Sequence, residues 1–284
     1  MTDNTLTTTD HSRDSAQLRY VYAVLSRRAQ GLSIGINLNT NNACNWRCIY
    51  CQVPELSRGA PPPLDMALLE QELRGFLGRV LHGDFMQQRL PEGMRRIVDI
   101  AISGNGEPTS AQEFAAVIDL VCRVKEELGV PEVKLVLITN GSLMQREGVQ
   151  QGLRRMAQAN GAVWFKLDRG SEEGMKRVND TQMTMERVRE NLRTALSCCP
   201  NTWLQTCWFA LDGEAPDRGQ QKEFVDFIDS LLSHGVRPRG VLLYSLARPS
   251  LQPEAPRLSA LTAEQLEAFA AQIRALGLPV QVAS

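Results

Sequence analysis

Strand-length apolar runs and helix-length amphipathic stretches alternate along this chain almost from end to end. That alternation narrows the possible folds more than any other feature. "LSIGINL" (residues 32–38) reads as a buried strand. In "PPPLDMALLEQELRGFLGRVL" the prolines stop one element, Asp65 is placed to cap the next, and apolar positions then recur at helical spacing. A polar connector leads to the strand "IVDIAIS" (residues 97–103) and the helix "AQEFAAVIDLVCRVKEELG". The strand "VKLVLI", the helix "MQREGVQQGLRRMAQAN", the strand "AVWFKL" and the helix "MTMERVRENLRTALS" follow. "TWLQTCWFA" and "GVLLYSL" are further strands, each followed by a helix, and "PVQVA" is a short closing strand. Such alternation predicts an α/β fold with a parallel sheet and crossover helices. About six units with no Gly- or Ser-rich linker predict an incomplete (β/α)6 TIM-like barrel, with an open doubly wound sheet as the rival. The expected organisation is one domain over residues 18–284 behind a polar, disordered tail over residues 1–17.

Composition bounds the function. The chain has 284 residues, 43% of them hydrophobic and 22% charged, which is ordinary for a globular protein. A net charge of −1 excludes a globally basic nucleic-acid binder, though not a local basic groove. No stretch approaches the roughly 20 apolar residues of a membrane span, and no export pattern opens the chain. The expected location is the cytoplasm, where clustered thiols read as metal ligands or redox groups rather than disulfides.

Three of the seven cysteines fall within "ACNWRCIYC": Cys44, Cys48 and Cys51, spaced C-x3-C-x2-C. Soft thiolates this close select zinc or iron–sulfur chemistry. A structural zinc site closes with four ligands. No fourth Cys or His lies nearby, since His11 is in the tail and His82 and His234 follow helices. Three cysteines on a four-iron cluster would instead leave one iron free of protein ligands, the open position that a reactive metal site needs.

C-x3-C-x-aromatic-C at the end of the first strand, with Tyr50 in the aromatic position, resembles the motif of the radical S-adenosylmethionine superfamily. The resemblance implies a [4Fe–4S] cluster held by Cys44, Cys48 and Cys51, with S-adenosylmethionine chelating the fourth iron. It also implies reductive cleavage of that cosubstrate to a 5′-deoxyadenosyl radical, which abstracts hydrogen from an unidentified substrate. A low-potential electron donor, flavodoxin or ferredoxin, is implied as a partner. "SGNGEPT" resembles the family's glycine–glutamate motif, so Gly104, Asn105, Gly106 and Glu107 are expected around the cosubstrate's ammonium. The two glycines are expected to allow unusual backbone angles and close ligand approach. By the same resemblance Thr139 and Asn140 of "TNG", and Lys166 and Asp168 of "KLD", contact the cosubstrate or line its pocket. Tyr244, Ser245 and Arg248 are further candidates to meet adenine or substrate. Every one of these motifs falls at the C-terminal end of an expected strand, the face where barrel enzymes keep their chemistry.

"SRRAQGLSIGINL", "SGNGEPT" and "ITNGSL" look most like the branch related to wyosine synthase of tRNA modification. The chain departs from that branch in having no cysteine before Cys44 for a second cluster, and no appended flavodoxin-like domain. The basic pairs Arg27–Arg28, Arg95–Arg96 and Arg154–Arg155 keep tRNA open as a partner. A zinc or non-catalytic iron–sulfur binding module is the other alternative. Outside the loop, Cys122 reads as core, while Cys198 and Cys199 are adjacent near a helix end. Cys207 shares a strand face with Gln205 and is expected to be a small buried filler near the cosubstrate end.

Overall fold

The computed structural model describes residues 6–7, 16–26 and 30–283. Eight strands form one sheet in chain order: β1 (Val21–Ser26), β2 (Gly31–Ile36), β3 (Ile97–Ile102), β4 (Lys134–Thr139), β5 (Gly161–Lys166), β6 (Thr202–Cys207), β7 (Val241–Tyr244) and β8 (Val280–Ala283). Every neighbouring pair from β2 to β8 is parallel. A doubly wound sheet would reverse its strand order at a switch point, and this one does not. The sheet curls as a half-barrel, with no pairing of β1 to β8 among the described residues.

The crossovers are helical: α1 (Met66–His82), α3 (Phe114–Glu127), α4 (Glu147–Gln158), α6 (Met185–Cys198), α7 (Arg218–Ser233) and α8 (Ala263–Arg274). The short α2 (Phe85–Arg89) lies in the polar connector, and α5 (Glu172–Asn179) precedes α6. Asp65 caps α1 as expected, its carboxylate accepting the Leu68 N–H at 3.0 Å, a bond worth about 1 kcal/mol at such positions.

Side-chain alternation sorts the strands into two faces. Ile34, Ile36, Ile100, Ile102, Leu135, Leu137, Val163, Phe165, Leu204 and Leu243 have no exposure and join the helices in the main core. The opposite set, with Ser33, Asp99, Trp164, Lys166, Gln205 and Tyr244 among it, lines the lumen.

Three features depart from expectation. β1 is an additional strand, antiparallel to β2. Its start is caught by Glu72 of α1, a buried carboxylate accepting the N–H groups of Arg19 and Tyr20 at 2.8 Å each and of Val21 at 3.2 Å. α5 is also additional. In the expected tail Leu6 is buried in the core, with its N–H donating to the Arg89 carbonyl at 2.8 Å. Residues 1–5 and 8–15, with His11, and the pair Arg27–Arg28 lie outside the described residues.

Candidate cluster and cosubstrate site

β2 runs out into "NLNTNNACN", and the asparagines of that stretch bind the strand exits to the cysteine loop. Asn37 Oδ1 accepts the N–H groups of Asn39 and Asn105 at 3.0 Å each, tying the exits of β2 and β3 together. Asn39 Nδ2 donates to the Ala43 carbonyl at 2.9 Å, and Asn105 Nδ2 to Asn42 Oδ1 at 2.7 Å. Asn140 Nδ2 donates to Asn45 Oδ1 at 2.8 Å, and Asn45 Nδ2 to Ser142 Oγ at 2.8 Å, joining the cysteine loop to the exit of β4.

Two further elements hold the loop. The C-terminal carbonyls of α5 accept from it: Asn179 O takes the Arg47 N–H at 3.1 Å and Val178 O takes the Ile49 N–H at 2.9 Å. On the other side, the segment after β7 lies along the loop as a strap. Ser250 Oγ donates to the carbonyls of Ile49 at 2.8 Å and Cys51 at 3.1 Å, and Gln252 Nε2 donates to Val53 O at 2.9 Å. Arg47 closes the strap with a two-pronged pair to Glu254 at 2.7 and 3.0 Å.

A cavity of about 710 Å³ fills the lumen at the C-terminal ends of the strands. Cys44, Cys48, Cys51, Tyr50, Gly104, Asn105, Gly106, Glu107, Asn140 and Lys166 all line it, with Gln205 and Tyr244. Burial pushes the thiol of Cys44 up to about 11 and that of Cys48 up to about 12. Trp46 N–H donates to Cys44 Sγ at 3.5 Å, and the Asn179 amide to Cys48 Sγ at 3.2 Å.

Glu107 organises two motifs at once. Its Oε1 accepts Thr109 N–H at 3.1 Å and the hydroxyls of Thr109 and Thr139 at 2.6 Å each. Oε2 accepts the Asn140 N–H at 2.6 Å and keeps capacity for a second donor. Burial raises the pKa of this carboxyl, and the four bonds work against that shift. Thr139 itself is buried behind the cavity wall.

The glycines require a correction. Neither Gly104 nor Gly106 has positive φ; both line the cavity, and on the side a Cβ would occupy the chain itself approaches them. A Cβ on Gly104 would meet Asn37 Oδ1 at 2.2 Å, and one on Gly106 would meet Ala43 O at 2.1 Å. The left-handed glycine is Gly141 of "TNG", at φ +70°.

Asp168 also differs from expectation. It has no exposure and stands outside the cavity lining, with its oxygens taken by Tyr50 OH at 2.5 Å, Asn179 Nδ2 at 2.6 Å and Cys207 N–H at 2.9 Å. It anchors the aromatic residue of the cysteine loop. Lys166 does line the cavity, with Nζ donating to Tyr244 OH at 3.3 Å and lying 5.0 Å from the Tyr50 ring centre. Ser245 is a strut, bonded to Trp208 O at 2.7 Å and Leu261 N–H at 2.8 Å. Arg248 meets the loop through its carbonyl, which accepts from Gln52. Gln205 faces the lumen, while Cys207 is buried beneath the loop with Ile49, Tyr50, Val178 and Phe209. Of the basic pairs, Arg155 is ion-paired with Glu126 and Asp119, and Arg95 donates to carbonyls of its own connector.

Among the described residues no three His, Cys, Asp or Glu side chains gather around a single-ion position. The residues fit a larger group. Three soft donors share a cavity of ligand size, and the buried Gln205 Oε1 on its wall lacks a hydrogen-bond partner.

A parallel half-barrel whose lumen opens, at the strand ends, onto three thiols belongs to the class of barrel proteins that carry their chemistry on that face. Residues 38–218 match the model of the Radical SAM superfamily, and the chain belongs to that family. A "UPF0026 protein" of Helicobacter pylori (strain ATCC 700392 / 26695) is 29% identical over 157 residues, which cover 55% of this chain and 44% of that protein. The chain thus spans less than half the length of this curated relative. Among solved structures, Streptococcus suis SuiB bound to precursor peptide SuiA has a TM-score of 0.58 at 12% identity, covering 90% of this chain and 49% of that one. TYW1 with a lysine-pyruvate adduct bound has a TM-score of 0.55 at 15% identity, covering 86% and 73%. These two likenesses establish the fold.

Proposed function

We propose that this chain, with residues 18–284 as one core domain, is a radical S-adenosylmethionine enzyme in which Cys44, Cys48 and Cys51 hold a [4Fe–4S] cluster. The observation that carries the reading is convergence: the cysteine loop, "GNGE" and Asn140 line one cavity at the strand ends. When bound, the cluster and cosubstrate supply the radical chemistry, one electron yielding a 5′-deoxyadenosyl radical that takes hydrogen from the substrate. The chain's own part is positioning. Glu107, whose Oε2 keeps capacity for a second donor, would receive the cosubstrate's ammonium, with Gly104, Asn105, Gly106 and Asn140 around it. Lys166 and Tyr50 close the adjoining wall, Thr139 acts through Glu107, and Asp168 acts through Tyr50. A flavodoxin or ferredoxin supplies the electron.

Anaerobic reconstitution followed by dithionite and S-adenosylmethionine tests this directly. The expected product is 5′-deoxyadenosine, and Cys48→Ala should lose both the iron and the product. A full iron complement in Cys48→Ala, or one zinc in place of iron and sulfide, would overturn the assignment. The tRNA-modifying version rests on the wyosine-synthase-like motifs, and salt-dependent tRNA binding would support it. No helix among the described residues is long and apolar enough to cross a membrane, in keeping with the cytoplasmic setting proposed here.

A further inference from the structure

Asn179, the last residue of α5, has no solvent exposure and directs one amide nitrogen at two acceptors. Its Nδ2 donates to Asp168 Oδ2 at 2.6 Å and to Cys48 Sγ at 3.2 Å, which uses both hydrogens of the group. Its Oδ1 is buried and has no partner. An orphaned carbonyl needs a compensating reason, because a buried acceptor without a donor destabilises the fold. Asp168 supplies the reason. Turning the amide over would set Oδ1 against a carboxylate oxygen that already accepts from Tyr50, and would withdraw the donor from the sulfur. The buried carboxylate therefore fixes the amide orientation, and that orientation leaves an N–H on Cys48. The main chain adds to the grip, since Asn179 O accepts from Arg47 and Val178 O from Ile49, the residues flanking Cys48.

Building on the proposed cluster, we propose that Asn179 is a positioning residue that holds Cys48 and tunes the cluster through an N–H···S bond, with Asp168 as its orienter. Hydrogen bonds to cluster sulfur are one of the determinants of reduction potential. A donor on the thiolate favours the reduced, more negative state and so raises the potential. Among the described residues no side-chain amide of this kind serves Cys44, whose donors are main-chain groups of Trp46 and Glu107.

The test is a potentiometric titration of the reconstituted protein, followed by electron paramagnetic resonance. Asn179→Leu keeps the branched shape at Cγ, with some added bulk, and removes the donor; Asn179→Ser is the smaller change should the first fail to fold. Either variant should show a midpoint potential more negative than the wild type. Loss of the cluster from a variant that retains its native circular dichroism and melting transition would also support the role in holding Cys48. Wild-type iron content together with an unchanged potential would overturn the inference while leaving the cluster assignment standing. A wild-type protein that takes up no iron at all would overturn both.

Discussion

The main-chain N–H of Asn140 donates to Glu107 Oε2 at 2.6 Å, so one buried carboxylate carries the exits of two neighbouring strands. The acid is thereby an internal fixture before it is a ligand contact. Glu107→Gln would offer an N–H₂ to groups that are themselves donors. The expected result is a loss of about 1–3 kcal/mol in stability, the scale of leaving buried donors unpaired, together with weaker S-adenosylmethionine binding. Urea unfolding and calorimetric titration measure the two effects separately. Unchanged cosubstrate affinity would return "GNGE" to a purely structural role.

Gly106 makes a second prediction. Its absent side chain leaves room for Ala43 O and Asn39 Nδ2, which a Cβ would meet at 2.1 and 2.5 Å. Gly106→Ala must push the cysteine loop outward, at a cost of about 1–3 kcal/mol for overpacking. Iron retention after reconstitution should fall with it. A variant as stable and as iron-rich as the wild type would show that the loop has slack.

Cys207 is the contrasting case. It is buried among Ile49, Tyr50, Val178 and Phe209, outside the cavity lining. Cys207→Ala should leave iron content and 5′-deoxyadenosine formation unchanged and lower stability by about 1–2 kcal/mol, as a small buried truncation does. Lost turnover with an intact cluster would instead place this thiol in contact with the reaction.

The Arg47–Glu254 pair gives a pH prediction. The hydrogen bond from Arg47 holds the Glu254 carboxyl below its ordinary value. A carboxyl with a lower pKa folded than unfolded contributes stability above its unfolded value, and loses it as pH falls through the folded one. Glu254→Gln should therefore cost about 0.5–1 kcal/mol at pH 7, allowing for solvent screening. The gap between variant and wild type should close below roughly pH 4. Urea midpoints across that range decide it, and a pH-independent difference would remove Glu254 from the clamp.

Legibility in the sequence followed the range of the interactions. The strands, their order and the cysteine loop announce themselves through period, length and spacing, which are local. β1 was written in "VYAVLS", a β-branched and aromatic run, but as an edge strand it depends on Glu72, about fifty positions away. The asparagines of "NLNTNNACN" stand in plain view, yet their partners Asn105 and Asn140 lie in other motifs, so no spacing reveals them. Asp168 was legible as a motif residue and misread as to its direction. Strand alternation puts Lys166 in the lumen, but Asp168 lies beyond the end of β5, where alternation no longer governs.

The strap from Ser250 to Glu254 has a consequence for how the protein is made and maintained. Its bonds to the cysteine loop, like those from α5, involve only protein atoms, so the main chain of the loop is held by protein contacts. In small zinc domains the metal's binding energy is the folding energy, and a chelator unfolds the chain. Here the cysteine loop has hydrogen bonds of its own to the strap and to α5. For the cluster proposed at this loop, the expected outcome is a chain that keeps its fold when the inorganic group is removed, so that the loop can be filled again.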